Sequence, residues 1–208
     1  FIADAPAAIY AGGGVATIRY NVMEGFGQNQ GTGLDKGHAN AIYIAGGGSA
    51  IDIAYNTIYS EAGPTAAYPL TGLGAAIGLF GDGGSYTNAV IDHNTLVSAF
   101  PDAASYLIGF YPTSASETAT GSVTNNYVAS VNGFNQPNSG AFGAFYPNGS
   151  NVQATYSGNV DMLTGKIVNG DNTETGAIPA VLGAPSFASW SPDTGVSGDG
   201  ITSASALT

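Results

Sequence analysis

The sequence predicts an all-β chain wound as a right-handed parallel β-helix, a solenoid of about five coils with three short strands each. Three observations predict it. An Ile/Val-x-x-Asn run recurs, placing asparagine at positions 21, 56, 94, 126 and 159, with intervals of 35, 38, 32 and 33 residues. A second apolar, β-prone run precedes each copy and ends in a Gly or Pro breaker. Charged residues make up only 8% of the 208 positions, against about 25% in ordinary soluble domains, whereas 44% are hydrophobic. That composition favours strands and turns around a continuous core.

The first strand of each coil is read at 8–11, 41–45, 75–80, 106–111 and 141–146. Each ends at a breaker: the glycines at 12–14 and 46–48, the Gly-Asp-Gly-Gly run at 81–84, Pro112 and Pro147. The second strand carries Ile18, Ile53, Ile91 and Val123, which are expected to point inward as an aliphatic ladder. The asparagine follows as a turn residue, because its side chain tolerates left-handed backbone and can donate and accept along the stack. A third strand comes next, as in Val22-Met23, Thr57-Ile58, Thr95-Leu96 and Tyr127-Val128. Variable loops at 25–40, 61–74, 100–105 and 132–140 complete the coils.

Residues 1–165 are assigned to these coils and 166–208 to a C-terminal cap and linker. Beyond Asn159 the pattern fades, and the stretch 178–190, with Pro179, Pro185 and Trp190, is expected to cover the open end of the stack. Phe1 runs almost directly into a repeat, so further coils are expected before it.

A formal charge of −11, from 3 basic against 14 acidic residues, opposes binding to nucleic acid or anionic membranes. No apolar run reaches the ~18 residues of a membrane-spanning helix. With no cysteine there is no disulfide framework and no thiolate metal site. Gly-x-Ser-x-Gly, phosphate-loop and His-Glu-x-x-His motifs are also missing from the sequence.

Since the five asparagines share one position in the repeat, they are read as a structural ladder, and residues that depart from their columns carry the functional information. Asp35, Lys36 and His38 concentrate rare ionisable groups in a long loop, just before the strand that begins at Asn40. With Ile42 and Ile44 inward, alternation sends Tyr43 outward, and Tyr10 takes the same place one coil earlier. Lys36 and His38 are the candidate catalytic residues, and Tyr10, Tyr43, Asp35 and Asn40 the candidate substrate-binding residues. The alternative is a solvated turn beside tyrosines that cover sheet surface. His93 aligns with Tyr20, Tyr55 and Asn125 and is read as structural, while Arg19 is expected to pair with an acid of the neighbouring coil such as Asp52. The outward first-strand column reads Tyr10, Tyr43, Gly78, Gly109 and Ala144; without a carboxylate it argues against an inverting hydrolase.

The segment 38–58, from His38 through the triple glycine to the Asn56-Thr-Ile run, resembles repeats of bacterial right-handed β-helix proteins of the pectate-lyase-like superfamily. Asn40 stands where an Asp is usual there. The resemblance covers about residues 7–165 and implies an extracellular, carbohydrate-active protein with lyase-like or related polysaccharide-modifying activity. Within that superfamily, lyases use Ca²⁺ with a basic residue as proton abstractor; Lys36 or His38 would take the second role, and the metal ligands stay unassigned. A non-catalytic polysaccharide-binding, adhesin or structural surface module is the alternative on the same fold. Residues 191–208 resemble the lead-in to bacterial Ig-like repeats, which implies that other domains of a longer chain are neighbours.

Overall fold

A computed structural model describes residues 2–3, 7–24, 40–60, 75–98, 106–130, 143–146, 150–162 and 164–176. Its strands in chain order are β1 (Ile2–Ala3), β2 (Ala7–Arg19), β3 (Val22–Glu24), β4 (Asn40–Ala54), β5 (Thr57–Ser60), β6 (Ile77–Phe80), β7 (Tyr86–Asp92) and β8 (Thr95–Ser98). They continue as β9 (Tyr106–Tyr111), β10 (Ala119–Thr124), β11 (Tyr127–Ser130), β12 (Gly143–Tyr146), β13 (Val152–Ser157), β14 (Val160–Asp161), β15 (Ile167–Val168) and β16 (Glu174–Thr175). No helix occurs among the described residues.

Third strands form one sheet in the order β1-β3-β5-β8-β11-β14-β15-β16, and first and second strands form the other, β12-β9-β6-β4-β7-β10-β13, with β2 beside β4. All pairs as far as β14 are parallel. A large parallel sheet curls through 269°. The result is an all-β, β-solenoid-like architecture.

Register explains why these sequences stack. Ile9, Ile42, Ile77, Ile108 and Phe145 are consecutive Cα partners, as are Ile18, Ile53, Ile91, Val123 and Tyr156. A third column runs Met23, Ile58, Leu96, Val128. Nearly every member is fully buried, so each layer covers the one below. Burying one such side chain contributes about 1.5–3 kcal/mol. A one-residue slip would turn a whole column outward, which is why the register is well specified.

The glycine runs depart from the expected turns. β2 and β4 continue through positions 12–14 and 46–48, with bulges in their pairing between Gly12 and Val15. Bare backbones meet there: a Cβ on Gly13 would lie 2.4 Å from the Gly47 carbonyl oxygen. The chain therefore bends without leaving the sheet.

At the other end, antiparallel strands finish the third-strand sheet. β14 pairs with β15 and β15 with β16, tied by the 3.4 Å Lys166–Glu174 ion pair. The Asn172 amide mimics a strand, donating from Nδ2 to the Phe145 carbonyl (2.9 Å) and accepting at Oδ1 from the Phe145 N–H (2.8 Å). Edge groups of β12 are satisfied in this way. The expected cover at 178–190 lies outside the described residues.

Glu117 locks the turn between β6 and β7. Its buried carboxylate accepts from the Thr113 N–H (2.6 Å), the Gly83 N–H (2.8 Å) and the Thr113 hydroxyl. The Thr113 N–H, opposed by burial and aided by the Gly83 N–H, holds the carboxyl below its ordinary value of 4.5. With the folded value below the unfolded one, the stabilisation is complete above pH ~4.5 and is lost as pH falls through the folded value. Urea titrations from pH 7 to 3 should show a shallower acid-side loss of stability in Glu117→Gln than in the parent. Identical pH profiles would remove this role.

Candidate functional site

Two aromatic columns run across the strands on the outside of the stack. The first begins with Tyr10 and Tyr43, whose rings stack at 5.1 Å with planes 9° apart. It continues to Phe80 (4.4 Å), Tyr111 (4.6 Å) and Tyr146 (4.6 Å). Strand register carries Tyr10 and Tyr43 to Gly78, Gly109 and then Tyr146. This corrects the sequence alignment, which put Ala144 in that column; Ala144 is buried.

Phe80 and Tyr111 enter the column from two residues farther along their own strands. Their rings fold back over Gly78 and Gly109, so a Cβ on Gly78 would sit 2.5 Å from Phe80 Cε2, and one on Gly109 would sit 2.3 Å from Tyr111 Cε2. Each glycine thus leaves the space that the next ring fills. Such stacking contributes about 0.5–1.5 kcal/mol per pair beyond area burial.

The stack decides what its rings can do. Tyr43 has its two faces covered by Tyr10 and Phe80, whereas Tyr10 stacks on Tyr43 and is 70% exposed. The Tyr43 hydroxyl donates to Asp82 Oδ2 at 3.2 Å, in a turn where Asp82 has φ 44°. Asn40 is fully buried at the start of β4, with Oδ1 3.2 Å from where a Cβ on Gly78 would sit. It therefore faces the packed layer rather than solvent. Asp35, Lys36 and His38 lie outside the described residues, in the segment that leads directly into Asn40.

A second column stands beside the asparagine ladder. Tyr20 stacks on Tyr55 at 5.3 Å, and Tyr55 on His93 at 5.0 Å. These residues, with Asn125 and Gly158, immediately precede the five ladder asparagines and all have positive φ, from 51° to 65°. The left-handed residue of the turn is thus the one before the ladder asparagine, contrary to the sequence expectation. The asparagine itself supplies the amide chain that crosses the layers.

His93 Nδ1 lies 2.5 Å from Asp92 Oδ2, and Asp92 Oδ1 accepts from the Thr124 hydroxyl (2.6 Å) and Asn125 Nδ2 (3.1 Å). Burial opposes ionisation of Asp92, but the bonds from Thr124, His93 and Asn125 outweigh it and hold the carboxyl below its ordinary value. Arg19 pairs with Asp52 across the β2–β4 step, as its column position predicted. Sequence reasoning passed over this surface because it treated the whole column as turn structure. Its signal was two tyrosines where the turn favours Asn or Gly.

Among the described residues no group of three His, Asp or Glu side chains could hold a metal ion. No protein-family profile, curated protein or solved structure matches the chain.

Proposed function

We propose that the chain is a right-handed parallel β-helix of about five coils, related to the pectate-lyase-like superfamily, that engages polysaccharide outside the cell. Recurrent three-strand units, parallel register and the asparagine ladder support the architecture. One observation carries the ligand class: the exposed Tyr10 belongs to an outward aromatic column, beside the Tyr43–Asp82 hydrogen bond. A flat ring with neighbouring polar groups suits a sugar, which presents C–H faces and hydroxyl edges.

Lys36 and His38 are the proposed proton-transfer groups of a lyase-like reaction, in which a base removes the proton next to a uronate carboxyl. Asp35, Tyr10 and Tyr43 are the proposed substrate contacts, and buried Asn40 fixes the strand from which the loop departs. Because the described residues hold no acidic cluster, a second reading stands: a non-catalytic glycan-binding module within a longer surface protein. Binding and turnover on uronate-containing and neutral polysaccharides test both. Tyr10→Ala should weaken binding about tenfold or more, and Lys36→Ala or His38→Ala should abolish turnover without loss of binding. Failure of the parent to bind any member of the panel would end the proposal; binding without turnover would select the module.

A further inference from the structure

The column Tyr20–Tyr55–His93 lies on a different surface from the Tyr10 column, and local backbone preference does not account for its composition. Its turn position is left-handed throughout the stack. Asn125 and Gly158 comply with that geometry, since Asn and Gly tolerate it, but a tyrosine there is a steric outlier. The chain accepts the outlier twice without burying the rings: Tyr20 is 73% exposed and Tyr55 44%. Strain held on an exposed surface is an indication of function.

The polar surroundings narrow the ligand. Asp92 holds His93 through Nδ1, directing the imidazole, and Asp92 is itself held by Thr124 and Asn125. At the other end Arg19 is neutralised by Asp52. Among the described residues the column therefore presents no uncompensated cation, on a chain of formal charge −11. This surface thus offers no charge partner to an anionic ligand. What remains is a row of aromatic edges and hydrogen-bonding groups at spacings of 5.3 and 5.0 Å.

From this geometry we infer a second carbohydrate site, in which an extended neutral glycan lies across the Tyr20–Tyr55–His93 column. Successive sugars would step with the rings, lying against the exposed Tyr20 and Tyr55 side chains and hydrogen-bonding to phenol and imidazole edges. A sugar-by-sugar repeat close to the strand spacing of ~4.8 Å makes the match periodic. The inference does not depend on the Tyr10 site.

Tyr55→Asn is the decisive variant, because asparagine removes the ring while suiting the left-handed backbone. Calorimetric titration would use cellohexaose, mannohexaose and a galacturonate hexamer as probes. The expected result is binding of at least one neutral hexamer by the parent, at least about tenfold weaker binding by Tyr55→Asn, and a melting temperature for Tyr55→Asn no lower than the parent's. Three outcomes overturn it: no neutral hexamer binds the parent, Tyr55→Asn binds as the parent does, or its melting temperature falls, which would make the column a structural stack.

Discussion

Replacing Asn94 with alanine is expected to lower the unfolding free energy by about 3–5 kcal/mol, more than most core truncations to alanine of similar size. Asn94 is fully buried in the middle of the ladder. Its Oδ1 accepts from both the Asn56 N–H (3.0 Å) and Asn56 Nδ2 (2.9 Å). Its Nδ2 donates to Asn126 Oδ1 (3.0 Å) and to the Ile53 carbonyl (2.9 Å). Alanine removes the acceptor of the Asn56 N–H and the donor bonds of the Asn94 amide in a dry interior, where an unsatisfied group costs about 1–3 kcal/mol, while Asn56 Nδ2 keeps the Ile18 and Ala54 carbonyls. At the end of the ladder the same change is mild. Asn21 is half-buried, and Asn21→Ala keeps the backbone donor to Asn56 Oδ1, so about 1 kcal/mol is expected. Urea unfolding midpoints of the two variants provide the comparison. Equal losses would mean that the ladder is ornamental to stability and that aliphatic stacking alone holds the layers.

Gly47→Ala is expected to be comparably damaging, about 3–5 kcal/mol, through a different cause. Gly47 has φ +76°, and a Cβ there would lie 2.6 Å from the Ser85 carbonyl oxygen and 2.7 Å from the Gly84 carbonyl carbon. Those atoms are backbone of the adjacent layer, and the Ser85 carbonyl is already engaged by the Gly48 N–H at 2.9 Å. Relief would require the layers to separate locally. Two neighbours divide the effect into parts. Gly83 has φ +95° with nothing near its would-be Cβ, so Gly83→Ala should cost only the conformational term, about 1 kcal/mol. Gly12 has neither the positive φ nor a neighbour within 4 Å, so Gly12→Ala should be close to neutral. Thermal melts of all three would show the order 47, 83, 12; any other order would disprove the close-approach argument.

Much of the fold was legible because parallel stacking makes one column comparable with the next. Ile18, Ile53, Ile91 and Val123 point inward as their spacing required, and Arg19 meets Asp52 because register places neighbouring columns side by side. The site was less legible. Alternation along one strand cannot show that Phe80 reaches back over Gly78, or Tyr111 over Gly109, since that depends on empty space left by a glycine and a ring entering it. The same limit hid the aromatic character of the column and put Ala144 where Tyr146 stands.

Local chemistry written in the sequence was sufficient to determine strand, turn and inward face, because side-chain period and turn preference act over a few residues. It also marked the asparagines as a ladder. Only the tertiary structure decided which residue of each turn is left-handed, how the glycine runs bend without breaking the sheet, and which aromatic rings stack across the layers. Those outcomes depend on approaches between residues about one repeat apart in the chain. A ring such as Tyr10 is available to a ligand or spent in a stack according to what the adjacent layer places against it.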